Sequence, residues 1–384
     1  MRKEPFLYTI SFLQDLCLAI TGLCVPLLAL RLGGTYGDLG VIAATGSCTY
    51  SLGCFTIGRL GQRLGYRRLM AAAALSTAVV FAGYLAATRI WHLLLLGGLS
   101  GLTMSGYWPS LQAWLGQGKG RRELLPALGR FSVSWSLSFL VGPILAGRLQ
   151  TAAPASAFAL TTGVSGAVFL SLCLMPVRER GTPEATGDGT TPWAARRFLP
   201  VAWVANFATF FATASVRSLF PKLGTDLGMD PAELGLLLSL IGGAQTLSFA
   251  LVARTERWQF RLAPLAAVQS LAAGGLWLLA FGSTALWFGP ALLAQGVLVG
   301  ATFTASAFYS LHAGGPGGPR TAVHEGIVGS AMFVGPLVGG LAAEHLGPRA
   351  PYFLASAVLL GAVLLEAHLL RRGTRRAGTP PVEG

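Results

Sequence analysis

The chain has 384 residues, of which 53% are hydrophobic and only 11% are charged, and its mean hydropathy is +0.61. Soluble domains carry about 25% charged residues, so this composition excludes an ordinary soluble fold. The net charge of +13 could indicate nucleic-acid binding, but the Lys and Arg residues form short clusters between apolar stretches. That placement is typical of a membrane protein and accounts for the basic balance without a nucleic-acid partner.

Twelve apolar stretches are each long enough to cross a bilayer as a helix, since about 20 residues span roughly 30 Å of hydrocarbon. We therefore predict an all-α membrane protein of twelve transmembrane helices. In chain order the stretches are Phe6–Leu30, Leu39–Ile57, Leu69–Ala87, Trp91–Leu115, Phe131–Ala146, Ala155–Met175, Phe198–Phe220, Ala232–Val252, Leu262–Phe281, Ala285–Leu311, Val323–Ala343 and Pro351–Leu370. The first follows Arg2 and Lys3 as a signal peptide would, but it is too long for one and contains Asp15, so we expect it to be retained.

One segment between helices is longer than the others. Residues 177–197 are rich in Gly, Pro, Thr and charge, which is typical of a linker, and they leave six predicted helices on each side. The predicted organisation is an N-terminal six-helix bundle at 1–176, this linker on the cytoplasmic side, a C-terminal six-helix bundle at 198–370 and a cytoplasmic tail at 371–384.

The basic residues are distributed unevenly between the two sides of the predicted bundle. If both termini lie on one side, all but six of the 28 Lys and Arg residues lie on that side as well. The exceptions are Arg31, Arg89, Arg148, Arg217, Lys222 and Arg349. Because cytoplasmic loops carry the excess of Lys and Arg, we predict a multi-pass protein of a bacterial or archaeal cytoplasmic membrane with both termini in the cytoplasm.

The two halves of the chain resemble each other. Helix 4 ends in Ser110–Ala113 (Ser-Leu-Gln-Ala) and helix 10 in Ser310–Ala313 (Ser-Leu-His-Ala). Helix 5 carries a Gly-Pro sequence at Gly142–Gly147, and helix 11 carries a similar one at Gly335–Gly340. A duplication of six helices predicts two pseudo-symmetric bundles, and in transporters built this way the solute site lies between the repeats.

The loop after helix 2, Gly58–Arg68, resembles the signature of the major facilitator superfamily at the same loop. That signature reads Gly, three residues, an acid, a base, any residue, Gly, any residue and two bases. The matching positions here are Gly58, Gln62, Arg63, Gly65, Arg67 and Arg68, with Gln62 in place of the acid. The arginines can bond the carbonyls at helix C-termini and so latch one conformation, although without the acid the latch lacks an ion pair. An ordinary basic cytoplasmic loop is the alternative interpretation.

Helix 5 resembles a second pattern of that superfamily, found in its antiporter branches. The matching residues are Gly129, Ser138, Gly142, Pro143, Ala146 and Gly147, and the counterparts in helix 11 are Gly335, Pro336, Gly339 and Gly340. Ser138 and Ala146 stand where the superfamily prefers Gly, so generic helix packing by small residues is an equal alternative. The antiporter branches also carry an Arg in helix 4, which the segment 93–101 lacks. Its absence argues against proton antiport of drugs.

Asp15 lies near the middle of predicted helix 1, with apolar neighbours on both sides. An ionised Asp at this depth costs about 2.5–3.5 kcal/mol, so we expect it to face the bundle interior or a wet cavity. Tyr8, Ser11 and Gly22 share its helix face. Asp15 is therefore a candidate for ion or substrate coupling, and a structural hydrogen bond to a neighbouring helix is the alternative.

Further polar and aromatic residues within predicted helices are candidates for the same site. They are Tyr107, Trp108 and Gln112 in helix 4, Trp135 in helix 5, Asn206 in helix 7, and Gln245, Gln269, Gln295 and Tyr309 in helices 8 to 10. For the Trp and Tyr residues, anchoring at the lipid headgroups is the alternative. We expect Arg130 and Arg217 to extend to the membrane surface, His324 and Glu325 to lie at the inner interface, and Glu366 to be in water.

No Walker loop, zinc-binding HExxH or nucleophile elbow is present, and the five cysteines form no CxxC pair, so we predict neither an enzyme nor a metal or cofactor site. The resemblance implies a monomeric secondary transporter that moves a small solute across the bilayer by rocking its bundles, with proton coupling as one option. A receptor or assembly scaffold on the same fold is the alternative. With one mid-helix acid in the first half, Asp15, we expect a neutral or singly cationic substrate.

Overall fold

The computed structural model describes residues 3–57, 63–117, 119, 121–175, 193–312 and 317–377, and within them the secondary structure is entirely helical. A single short 3₁₀ turn, Tyr84–Ala86, accompanies the long helices in the described ranges. The long helices are α1 Lys3–Arg31, α2 Tyr36–Ile57, α3 Tyr66–Gly83, α4 Ile90–Gly116, α5 Arg121–Ala152, α6 Pro154–Leu174, α7 Trp193–Asp226, α8 Pro231–Val252, α9 Leu262–Phe281, α10 Ala285–His312, α11 Gly317–Leu346 and α12 Ala350–Ala377.

The prediction of twelve helices is confirmed, but several helices extend beyond their apolar stretches. α5 begins at Arg121 rather than Phe131, and α12 continues to Ala377 into the predicted tail. α7 begins at Trp193, within the predicted linker, whose residues 177–192 lie outside the described ranges. Hydropathy marks the part of a helix that suits hydrocarbon, whereas a helix with charged ends continues past that layer.

Among the described residues, ten helices are long and apolar enough to cross a membrane, and these ten do not include α2 and α4. Both are rich in Gly, Ser and Thr, and they pack against each other. Their closest approach uses Gly97 and Gly101, where an added Cβ would meet the carbonyl oxygens of Ile42 and Gly46. Small residues at this spacing let two membrane helices approach closely.

The packing of the first six helices is repeated by the last six. In the first half α1 packs on α5 and α6, α2 on α4, and α3 on α4 and α6; the second half has the same pairs with six added to each number. The close approach of α2 and α4 also recurs, because Gly296 and Gly300 of α10 meet the carbonyl oxygens of Ile241 and Gln245 of α8. The two bundles are therefore pseudo-symmetric.

The halves meet along two main helix pairs, α5 with α8 and α2 with α11, with further contact between α1 and α7. We call the side where α1 begins and α12 ends the termini side, and the side where α1 ends and α2 begins the far side. These interfaces position the groups that join the two halves.

Candidate functional site

Two equivalent helix crossings join the halves near the far side. A Cβ added to Gly40 of α2 would overlap the Pro336 carbonyl oxygen, and one added to Gly235 of α8 would overlap the Pro143 carbonyl oxygen. One crossing is formed by Gly40, Pro336 and Gly340, and the other by Gly235, Pro143 and Gly147. The Gly-Pro repeats thus contact the opposite half as well as their own bundle.

Polar contacts between the halves lie at the same level. The Tyr36 hydroxyl of α2 donates to Asp226 of α7 at 2.9 Å. Lys222, one turn earlier in α7, pairs with the same carboxylate at 3.1 Å and lies 5.0 Å from the centroid of the Tyr36 ring. The Gly37 amide donates to Glu344 of α11 at 3.1 Å. These contacts form a far-side gate, which we define as Tyr36, Gly37, Lys222, Asp226 and Glu344. The far side is closed in this structure.

Asp15 lies within the bundle, as its sequence context predicts, with only 5% of its surface exposed. The Ser11 hydroxyl donates to its carboxylate at 3.4 Å. Among the residues that the structure describes, no Lys or Arg forms a salt bridge with Asp15. Tyr50 of α2 and Tyr107 of α4 lie close enough to interact with its charge. Asp15 is thus a buried acid without a described counter-charge.

Glu325 of α11 is a second acid within the bundle. It is half-buried, and the Gln112 side chain of α4 lies close enough to interact with its carboxylate. Tyr50 lies within electrostatic range of both Glu325 and Asp15. Through these groups Glu325 interacts with α2 and α4 of the first half. Asp15, Tyr50, Gln112 and Glu325, the acidic group, therefore lie across the boundary between the bundles.

Arg217 of α7 also contacts the opposite half rather than extending to the membrane surface. Its guanidinium donates to the Gln245 Oε1 of α8 at 3.2 Å. Its central carbon lies 4.4 Å from the centroid of the Phe139 ring of α5. This cation–π contact fixes the side chain between the two halves.

Aromatic rings from three helices surround this region. The Trp135 ring of α5 lies 5.6 Å from Phe249 of α8 and 5.9 Å from Phe303 of α10, measured between centroids. Phe303 in turn contacts His324 of α11, whose Nδ1 lies 2.7 Å from the Ser306 hydroxyl. Trp135 is half-buried within the protein, not at a headgroup position.

Several predicted candidates lie elsewhere. Tyr8 bonds Glu4 at 3.1 Å and Arg130 at 3.3 Å on the termini side of the first bundle. Arg130 and Lys119 both pair with Glu4, so the Arg130 side chain is held by an ion pair. The Tyr309 hydroxyl accepts from the Phe260 amide at 2.7 Å, which fixes the turn between α8 and α9. None of these contacts involves the acidic group.

The aromatic pair in α4 has a packing role within the first bundle. Tyr107 is fully buried and its hydroxyl donates to the Ile10 carbonyl of α1 at 3.1 Å. The Trp108 ring lies against Tyr107 and Phe131. These contacts join α1, α4 and α5.

The amide candidates of the second half face its own interior. Gln269 of α9 donates to both oxygens of Glu366 of α12 at 2.9 Å, and Glu366 is fully buried. The expectation that Glu366 is in water was wrong, because α9 covers it. Gln295 bonds Thr213 and the Ala272 carbonyl, and so joins α7, α9 and α10. Asn206 is fully buried, and both amide atoms lack a partner in the described part of the chain.

Part of the loop signature lies outside the described residues, including Gly58 and Gln62. Gly65 precedes α3 with φ of 87°, a conformation that favours glycine. Arg67 donates to the carbonyls of Met175 at 2.8 Å and Leu172 at 3.3 Å, at the C-terminus of α6. Arg63 and Arg68 are exposed. Arg67 therefore makes the helix-end contact that the signature predicts.

The small residues of helix 5 and helix 11 also pack within their own bundles. The Ser138 hydroxyl donates to the Phe12 carbonyl of α1 at 2.8 Å, Gly142 lies against Ala19, and Gly335 lies against Phe211. Ala146 is fully buried, Gly339 meets Ser215 and Leu219, and Gly340 meets Tyr36, whereas a Cβ on Gly129 would enter open space.

Two interface residues were missed in the sequence although a signal was present. Gly40 lies in Asp38–Val41, which reads Asp-Leu-Gly-Val, and Gly235 lies in Glu233–Leu236, which reads Glu-Leu-Gly-Leu. This acid-Leu-Gly-apolar repeat marks the two crossings. Tyr50 and the far-side gate carry no comparable signal, because their partners come from distant helices.

Comparison with known proteins follows from this architecture. The sequence model of the Major Facilitator Superfamily matches residues 7–321, most of the chain. The chain belongs to this superfamily. A curated relative, the uncharacterized MFS-type transporter YqjV of Bacillus subtilis (strain 168), is 25% identical over 155 residues. That match covers 38% of this chain and 38% of YqjV, so the chain spans less than half the length of this relative.

Solved structures of the superfamily share the fold across nearly the whole chain. The human organic anion transporter MFSD10 (TETRAN) has a TM-score of 0.68 at 19% identity, covering 96% of this chain and all of the other. A mutant of the nucleoside transporter NupG has a TM-score of 0.71 at 11% identity, covering 97% and 99%. A bacterial homolog of the human lysosomal transporter Spinster, in an inward-facing and occupied conformation, has a TM-score of 0.72 at 12% identity. That match covers 99% of this chain and 98% of the other. The TM-scores establish the fold, and sequence identities this low leave the substrate open.

Proposed function

We propose that the chain is a secondary transporter that moves a small solute across the membrane by alternating access. The observation that carries this proposal is the pair of equivalent glycine crossings, which close the far side between two pseudo-symmetric bundles. Membership of the superfamily supports transport, and no comparison supports a receptor or scaffold.

The charge distribution indicates which compartment the closed side faces. The termini side carries most of the Lys and Arg residues, so it faces the cytoplasm of a bacterial or archaeal cell. The far side is then external, and this structure represents a state closed to the outside. The superfamily's rocking motion would open the far side by separating the two crossings.

The far-side gate is weak enough to open during each cycle. Its ion pair between Lys222 and Asp226 lies within α7, so opening the far side does not break it. Between the halves, the Tyr36 hydrogen bond to Asp226 contributes about 0.5–1.5 kcal/mol. A solute that binds one state more tightly than the other by more than this amount would shift the balance between the two states.

Asp15 and Glu325 are our candidates for coupling to protons. An ionised carboxylate at the centre of a membrane helix costs about 2.5–3.5 kcal/mol, and neither acid has a described basic partner. The central region can close to water at low cost only when a proton or another cation neutralises these acids. Protons taken up on one side would then be released on the other.

The coupling proposal is tested by following the termini-side distance in purified protein. The five native cysteines are changed to alanine. Cysteines that carry spin labels then replace two exposed residues, Glu123 of α5 and Arg254 after α8. Acidic buffer should shorten this distance, and Asp15→Asn, which resembles the protonated acid, should reduce the pH response to the part that Glu325 contributes.

The control is Asp38→Asn, because Asp38 caps the start of α2 through Thr35 and lies at the far side. This variant should respond to pH as the parent does. An unchanged pH response in Asp15→Asn would remove Asp15 from coupling, while leaving the alternating-access proposal to the distance measurements described below.

A further inference from the structure

Arg217 is a cation between the halves with most of its hydrogen-bonding capacity unused. A guanidinium has five N–H donors and no acceptor. The structure gives Arg217 one hydrogen bond, to Gln245, and the face of the Phe139 ring. Within the described ranges no carboxylate forms a salt bridge with it. A charge held between membrane helices without such a partner is costly unless a ligand supplies one.

Gln245 adds a second unused donor at the same point. Since Arg217 can only donate, the Gln245 oxygen must face it, and the amide nitrogen must face away. That nitrogen is buried and has no described partner. Arg217 and Gln245 therefore present N–H groups without an acceptor, which is the complement of an anion.

The acids of the site lie too far along the bundle to be that acceptor. At 1.5 Å per residue, Arg217 lies about 14 Å from the far-side end of α7, and Asp15 lies about 24 Å from the far-side end of α1. Glu325 lies about 32 Å from the far-side end of α11 by the same measure. Arg217 is therefore displaced toward the far side, and a bound solute could lie between it and the acids.

Aromatic rings lie beside Arg217 and Gln245. Phe139 stacks on the Arg217 guanidinium, and the Trp135 ring lies 6.0 Å from Phe139 and 5.6 Å from Phe249. Trp135 and Phe139 are half-buried, so part of each ring remains accessible. These surfaces suit the apolar or aromatic body of a ligand whose charged end meets Arg217.

We propose that Arg217 and Gln245 bind the carboxylate of a monoanionic substrate with an aromatic or apolar body. This inference rests on the proposed transport function and names its substrate class. A carboxylate fits because its two oxygens match the guanidinium fork and leave a lone pair for the Gln245 amide. It replaces the neutral or singly cationic substrate expected from Asp15 alone, because Arg217 contributes a positive charge to the interior.

The test measures thermal stabilisation of purified protein by a panel of aromatic monocarboxylates, each paired with its neutral amide. The panel contains benzoate, phenylacetate, 4-phenylbutyrate and indole-3-acetate. At least one carboxylate should raise the unfolding temperature saturably while its amide does not. Arg217→Gln should weaken that carboxylate by about 10- to 100-fold, as expected for losing a charged hydrogen bond.

The controls separate recognition from folding. Arg148→Gln removes an exposed far-side arginine and should bind as the parent does. Arg217→Lys retains charge but not the fork, so it should bind more tightly than Arg217→Gln, and Gln245→Leu should weaken binding even if Arg217→Gln fails to fold. Equal stabilisation by every acid and its amide, or by none of either, overturns the proposal. This equilibrium assay does not require transport, so its failure is distinct from failure of alternating access.

Discussion

Replacing Gly235 with alanine should shift the transporter toward a state open at the far side. The new Cβ would overlap the Pro143 carbonyl oxygen and approach the Gly147 Cα to 3.1 Å, both of them backbone atoms that cannot rotate away. Overpacking of this kind costs about 1–3 kcal/mol. The cost applies only while the crossing is closed, so the ratio of far-side-open to closed molecules should rise about 5- to 150-fold.

The assay measures the distance between spin labels at Thr151, the far-side end of α5, and Leu227, just after α7. Both positions are exposed and belong to opposite halves. The matched control is Gly274→Ala in α9, where an added Cβ meets nothing within 4 Å. A longer distance in Gly235→Ala but not in the control is expected. No change, or the same change in both, would refute the role of the crossing.

Two further substitutions test other contacts of the structure. Tyr36→Phe removes the hydrogen bond to Asp226, worth about 0.5–1.5 kcal/mol, and should lengthen the same far-side distance less than Gly235→Ala does. Arg67→Ala removes a cap from the C-terminus of α6 and should destabilise the protein by about 1–3 kcal/mol, measured as a lower thermal unfolding temperature. Exposed Arg68→Ala should leave that temperature nearly unchanged, and an equal loss in both would contradict the cap.

The sequence was sufficient to predict the helices and their division into two halves. Apolar length predicts a span from local residues alone, and the Gly-Pro repeats at Pro143 and Pro336 lie in equivalent helices of the pseudo-symmetric structure. Helix ends were less predictable. The ten residues from Arg121 to Arg130 are mostly polar or small, so hydropathy omitted them although they continue α5.

The candidate site was only partly predictable, because a side chain's partner comes from helices far away in sequence. Asp15 was expected inside the bundle from its cost in lipid. Arg217 was expected at the membrane surface, and only the position of Phe139, a residue of the first half, shows that it faces the other half. Tyr309 is a further example, since its hydroxyl accepts from the Phe260 amide and so fixes a turn that no local pattern indicates.

Alternating access is tested most directly by measuring both ends of the bundle in the same protein. The far-side pair Thr151 and Leu227 and the termini-side pair Glu123 and Arg254 are labelled in separate samples under matched conditions. Across pH changes and in Gly235→Ala, one distance should lengthen whenever the other shortens. Distances that stay fixed in every condition, or that lengthen together, would contradict a rocking transporter.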